Sequence, residues 1–170
     1  MSQAHRPAGD RHHVVVIGSG FGGLNTVQGL AHSDVDITLI DRTNSHLFQP
    51  MLYQVATGLV SAGEIAPSTR QLLRKQNNVD VVRGEVTAID IEKQTVTASQ
   101  GDIVKDFAYD SLVVAAGSNQ GYFGNNHFAQ YAPGMKSIDD ALEIRSRLLG
   151  AFERAELTDD PEERARLLTF

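Results

Sequence analysis

The chain has 170 residues, enough for one domain or slightly more. Hydrophobic residues make up 41% of it, sufficient for an ordinary folded core, and the net charge of −6 argues against nucleic-acid binding through basic patches. There is no cysteine, so disulfides, zinc–thiolate sites and thiol catalysis are excluded within these residues.

The opening stretch "MSQAHRPAGDRHH" is polar and lacks the apolar segment of a secretory signal. Residues 1–12 read as a disordered leader, and 13–170 as one domain. His5, His12 and His13 have no partners at ligand spacing, so no metal site is expected. No run approaches the roughly 18 apolar residues of a membrane-spanning helix.

Val14 to Ile17 is a β-branched run and predicts a buried strand. From Phe21 to about Ala31, Phe21, Leu24, Val27 and Leu30 or Ala31 recur on one helical face. "VDITLIDR", Val35 to Arg42, predicts a second strand. Together these form a β-α-β unit, which implies parallel strands.

"SHLFQPMLYQVATGLVSAGEIAP" has no clean period and reads as a long functional loop. Pro67 to Gln76 predicts a helix with a basic end. From Val79 four short strands are expected as a β-meander: "VDVVRG", "EVTAIDIE", "QTVTAS" and "DIVKDFAYD". "SLVVAAGS", Ser111 to Ser118, predicts a further fully buried strand that ends in glycine.

A long helix follows in "SIDDALEIRSRLLGAFERAEL". Ser137 is its expected N-cap with Asp140 at N3, ahead of apolar Ala141, Leu142, Ile144, Leu148, Leu149 and Phe152. "DPEERARLLTF" starts another helix. Its apolar end is consistent with a terminal helix docking on the core or with a chain cut before another strand.

Gly18, Gly20 and Gly23 form G-x-G-x-x-G. Gly18 allows the tight turn off the strand. Gly20 lets the backbone approach a pyrophosphate, and Gly23 lets helix and strand pack closely. The helix that begins there directs its N–H groups and positive dipole end at phosphates. Glycine turns after strands are common, but here a strand precedes, a helix follows, and a second strand ends at Asp41, roughly 20 residues on. A carboxylate at that place accepts hydrogen bonds from a ribose and disfavours a 2′-phosphate. Arg42 beside it covers an adenine face or faces solvent. These residues predict a dinucleotide site and leave NAD and FAD both open.

The order of the later elements resembles the FAD-binding domain of two-dinucleotide-binding flavoproteins. Their acidic residue, apolar strand and Ala-Thr-Gly segment correspond here to Tyr109 to Gly117, with Ala116 in place of the threonine. "GSGFGGL", "HLFQPMLYQVATG", "GEIAP", "YDSLVVAAG", "YFGN" and "APGMKSIDDAL" together resemble the N-terminal part of type II NADH dehydrogenases, the single-subunit NADH:quinone oxidoreductases. The resemblance implies an α/β fold: a Rossmann-like FAD-binding domain with a parallel sheet plus a small β-meander, incomplete relative to the family. It also implies non-covalent FAD, NADH as hydride donor and a membrane quinone as acceptor. The second, NADH-binding domain and the C-terminal membrane region would then be absent, and this chain alone would not turn over NADH efficiently. The whole enzyme would sit peripherally on the cytoplasmic side of the cell membrane, with this portion soluble; a homodimer is left open.

Residue roles follow from the same resemblance. Gly18, Gly20, Phe21, Gly22 and Gly23 would face the FAD pyrophosphate. Asp41 would hold the adenosine ribose, with Arg42 beside it, and Val86 would meet the adenine through its backbone. Gln49, Pro50, Tyr53 and Gln54 would lie along the flavin side, against plain loop packing as the bland reading. Ala115, Ala116 and Gly117 would approach the ribityl or flavin. No catalytic side chain is expected, because the flavin performs the hydride chemistry. His46 is read as structural rather than as a general base. Other readings are a flavoprotein reductase with another acceptor, an iron–sulfur protein such as ferredoxin or oxygen, and a non-catalytic nucleotide-binding fragment.

Overall fold

A computed structural model describes residues 4–7 and 10–170. The chain divides into two compact units. The first comprises residues up to Leu47 together with Ala66–Ser118, and the second Phe48–Ile65 together with Asn119–Phe170.

The first unit is built on two sheets. β1 (His12–Ile17), β2 (Val35–Asp41), β3 (Val79–Arg83) and β7 (Ser111–Val114) form a parallel sheet in the order β3-β2-β1-β7. β4 (Glu85–Asp90), β5 (Thr95–Gln100) and β6 (Ile103–Ala108) form an antiparallel meander. Helix α1 (Phe21–Gly29) joins β1 to β2.

Side chains of β1 alternate between two apolar clusters. Val14 and Val16 join Leu24 and Val27 of α1 with Ile37, Leu39 and Leu73. Val15 and Ile17 join Ile40, Val96, Ala98, Phe107 and Tyr109 on the opposite side. The period of two and the two covered faces explain why β1 reads as an unbroken apolar run. The meander thus covers the face that a doubly wound fold gives to a helix.

Three expectations of this unit are corrected. "VDVVR" is not the first meander strand. Val79 to Arg83 pair in parallel with Ile37 to Asp41, and the meander starts only after Gly84. The predicted helix from Pro67 to Gln76 shrinks to α4 (Thr69–Leu72). Past it the chain is held by side-chain amides: Gln76 donates to the Val27 carbonyl at 2.9 Å, and Asn78 to those of Leu30 and Val35 at 3.1 Å. Those bonds replace the helical ladder with an attachment to the end of α1. Finally, β7 is an edge strand and only half-buried, with Val114 63% exposed, because it pairs with β1 alone.

The leader is in part attached to this unit. His5 exchanges backbone hydrogen bonds with Asp106 and Ala108 and sets its ring edge-on to Phe107, while Arg6 pairs with Asp110. His12 and His13 meet Ser111 and Thr38 through Nε2 at 2.8 and 2.9 Å.

The second unit is helical. The expected long loop contains a 3₁₀ turn (Gln49–Met51), α2 (Leu52–Ala56) and α3 (Ala62–Ile65). Leu52, Val55, Ala56 and Ile65 are buried. α5 (Ile138–Leu157) packs on α2 and on α6 (Pro161–Leu167). Ser137 caps α5 as expected: its hydroxyl accepts from the Asp140 N–H, and the Asp140 carboxylate accepts from the Ser137 N–H at 2.8 Å. The apolar residues of α5 do not form a buried face, however. Only Ala141 and Ala155 are buried, while Leu142, Leu149 and Phe152 remain exposed. α6 stops at Leu167, and the Phe170 ring is set against Phe152. No described helix is long and apolar enough to cross a membrane.

Candidate functional site

The C-terminal ends of β1, β2 and β7 open into one cleft of about 260 Å³ within the first unit. Strand order changes direction at β1, whose two neighbours are β2 on one side and β7 on the other. Open α/β sheets bind ligands at such a switch point. Gly18, Asp41, Arg42, Val86 and Ala116, all expected from the sequence, line the cleft. Ile17, Ile40, Gly84, Glu85, Ile89 and Val114 line it as well. Gly84 and Glu85 escaped the sequence reading because the strand before them was assigned to the meander. The strand-breaking glycine between two β-branched runs was the available signal.

The glycines of the loop separate into two kinds. Gly18 has φ +97°, and a Cβ there would stand 2.4 Å from the Ala115 carbonyl oxygen. A Cβ on Gly23 would fall 1.8 Å from the Gly18 carbonyl oxygen. Protein backbone therefore demands both glycines. Gly20 is different: its Cβ would meet no atom of the described residues within 4 Å, its chain neighbours aside, and its φ of −66° suits any residue. The space beside it is open to a ligand. α1 starts at this point with neither a side-chain cap nor an acidic residue in its first turn. A helix start with no acidic residue in its own first turn suits phosphates.

Asp41 closes the other side. Its Oδ2 accepts from the Ser19 N–H at 2.7 Å. Its Oδ1 accepts from the Thr43 N–H at 2.7 Å, the Thr43 hydroxyl at 2.6 Å and the Asn44 N–H at 3.2 Å. Burial acts to raise the pKa of this carboxyl, but the hydrogen bonds from Thr43 and Ser19 outweigh it and hold the group below the ordinary aspartate value. Asp41 is thus a charged hinge pin between the glycine loop and the end of β2.

The remaining expected residues divide by unit. Gly22 and Ala115 face each other, a Cβ on Gly22 lying 3.5 Å from that of Ala115. Gly117 has φ +74° and open space around its Cβ position. The Phe21 ring lies edge-on to His46 at 5.2 Å. His46 Nδ1–H donates to the Ser19 carbonyl at 2.8 Å, which fixes its tautomer and gives it a loop-holding role. Gln49, Pro50, Tyr53 and Gln54 belong to the second unit, on the 3₁₀ turn and α2. There the Gln49 amide donates to the Met135 carbonyl and the Gln54 amide to the Tyr53 hydroxyl.

The residues fit a dinucleotide with a ribose and a pyrophosphate: two backbone-enforced glycines, one open glycine at a helix start, one ionised carboxylate and an apolar wall. A family profile described as pyridine nucleotide-disulphide oxidoreductase matches residues 12–158. The chain belongs to this family. It is 62% identical over 162 residues to the type II NADH:quinone oxidoreductase NdhA of Mycobacterium tuberculosis, covering 95% of this chain and 34% of that protein. It is 63% identical over 160 residues to the type II NADH:quinone oxidoreductase Ndh of the same organism, covering 94% of this chain and 35% of that protein. The NDH2 of Plasmodium falciparum, solved in complex with NADH, superposes with a TM-score of 0.80 at 27% identity over 91% of this chain and 32% of that one. The chain spans about a third of the length of the curated relatives it matches.

Proposed function

We propose that this chain is the FAD-binding part of an NADH:quinone oxidoreductase. The observation that carries the cofactor is Gly20: no described atom requires a glycine there, yet it stands at a helix start without a side-chain cap, two residues after Gly18, which lines the cleft together with Asp41. The 62% identity to a type II NADH:quinone oxidoreductase supports the reaction. When bound, FAD supplies hydride acceptance and onward electron delivery.

The chain's own residues bind and orient. The N–H groups of the α1 start, with Gly18, Gly20, Gly22 and Gly23, would hold the pyrophosphate. Asp41 would accept from the adenosine ribose. Arg42, Val86 and the neighbouring Gly84 and Glu85 would enclose the adenine. Ala115, Ala116 and Gly117 would let the ribityl chain pass close to backbone. With no cysteine in the sequence, this chain contributes no thiol relay. In the longer protein, NADH is the donor and a membrane-dissolved quinone the acceptor, which places the work at a membrane surface.

Adding FAD to the purified chain tests the reading. Flavin absorbance that stays with the protein through gel filtration supports it; a protein that takes up no FAD refutes it. In the longer protein, quinone should be preferred over ferredoxin and oxygen as acceptor. The 170-residue chain by itself should oxidise NADH only poorly.

A further inference from the structure

Asp41 is held by more donors than a ribose-binding carboxylate needs, and they are unevenly shared. A carboxylate offers about four lone-pair sites, two on each oxygen. Among the described residues, Oδ1 already receives three donors, from the Thr43 N–H, the Thr43 hydroxyl and the Asn44 N–H, whereas Oδ2 receives the Ser19 N–H, and the Ser19 hydroxyl also acts on the carboxylate.

We propose that Thr43 is a positioning residue for nucleotide recognition: it occupies Asp41 Oδ1 and leaves Oδ2 as the one oxygen that meets a ribose hydroxyl. This rests on the FAD reading above. The carboxyl torsion of an aspartate is broad and soft, so the side chain needs an external hold to present one chosen oxygen. The Thr43 hydroxyl provides the shortest contact to the carboxylate, at 2.6 Å, while the Ser45 carbonyl is 3.4 Å from it. Thr43 itself is exposed, so core packing gives no reason for its hydroxyl. The ribose is consequently held through one oxygen rather than two. Losing the Thr43 hydroxyl removes the shortest of these contacts while the Ser19, Thr43 and Asn44 amides remain.

The test is competition against FAD, followed by flavin fluorescence, with ADP, 2′-deoxy-ADP and 3′-deoxy-ADP as probes. Wild type should prefer ADP over at least one deoxy analogue by about tenfold, the worth of a hydrogen bond to a charged group. Thr43→Val should reduce that preference to about twofold with little change in the affinity of the deoxy analogue. Thr43→Ser, which restores the hydroxyl, should restore the preference. A general loosening of the loop would instead weaken all three probes equally, and that result overturns the proposal, as does a serine variant that rescues nothing. Thr43→Ala removes the same hydroxyl and replaces the valine variant should the latter not fold. Wild type that binds neither FAD nor ADP defeats the cofactor reading and this proposal together. Wild type that binds FAD but treats the three probes alike defeats the positioning role alone.

Discussion

The two units meet the need to bury apolar surface in different ways. In the first, β1 and β2 are covered on both faces, and Val15, Val16, Leu39 and Ile40 are wholly inaccessible to solvent. Its loops are set by backbone contacts that admit no side chain, as at Gly18 and Gly23. In the second, a 20-residue helix leaves Leu142, Leu149, Phe152 and Leu157 exposed, and it is held by local devices. These are the Ser137–Asp140 capping box and exposed pairs such as Glu143–Arg147 and Glu163–Arg166. Dense two-sided packing makes a substitution expensive, whereas local capping and surface pairs contribute in small increments. Fold and cofactor cradle therefore depend most on the first unit.

The sharpest probe of that contrast lies inside the glycine loop. Gly23→Ala sets a methyl group against the Gly18 carbonyl and should cost about 3 kcal/mol or more, read as a lower midpoint in thermal or urea unfolding. Gly20→Ala meets no atom of the described residues beyond its chain neighbours. Its stability should stay within about 0.5 kcal/mol of wild type while FAD binding weakens, so a Gly20 variant as unstable as the Gly23 variant would break the distinction between enforced and open glycines.

Leu39→Ala in the first unit should cost about 3 kcal/mol by cavity formation, against less than about 1 kcal/mol for Leu149→Ala on the exposed side of α5. Equal losses in urea unfolding would show that the second unit is packed as tightly as the first. Ser137→Ala should remove about 1 kcal/mol through the lost cap and leave flavin binding unchanged.

The smallest effect is expected from pH. His13 is fully buried, and burial, its largest influence, lowers its pKa below 6.5. The unfolded chain then binds a proton more readily than the folded one below pH 6.5, so stability falls as pH drops through that value toward the folded-state pKa. Asp41 has a pKa below its ordinary 3.8, and its contribution is present above that value and lost under stronger acid. Unfolding midpoints measured from pH 8 to pH 3 should therefore begin to fall near pH 6.5 in wild type. His13→Leu should flatten that first decline, and an unchanged slope would rule His13 out as its source.

Much of the nucleotide unit was legible from local pattern. "VVVIGSGFGGL" and "VDITLID" carry strand, turn, helix and strand in one reading, because backbone crowding at Gly18 and Gly23 and the alternation of β1 act over a few residues. The Ser137 cap was equally visible, since both partners lie within one turn. Less could be read where pairing is distant. "VDVVR" looks like any short strand, and only its register with Ile37 to Asp41 places it in the parallel sheet. Leu142, Leu149 and Phe152 have a helical period that suggests a buried face, but nothing in that period states what covers it. Thr43 carries no motif at all; its hydroxyl matters only because β2 ends two residues earlier in a carboxylate turned toward it.

The sequence by itself determined the β-α-β start, the glycine loop and the acidic end of β2, because each depends on steric and hydrogen-bonding constraints between near neighbours. Tertiary structure alone decided that β3 joins the parallel sheet and that β7 is its edge. It alone showed that Gly20 is the open glycine, and that one oxygen of Asp41 is already spoken for. Those outcomes depend on which distant atoms fill the space around a residue, and a local pattern holds no record of them.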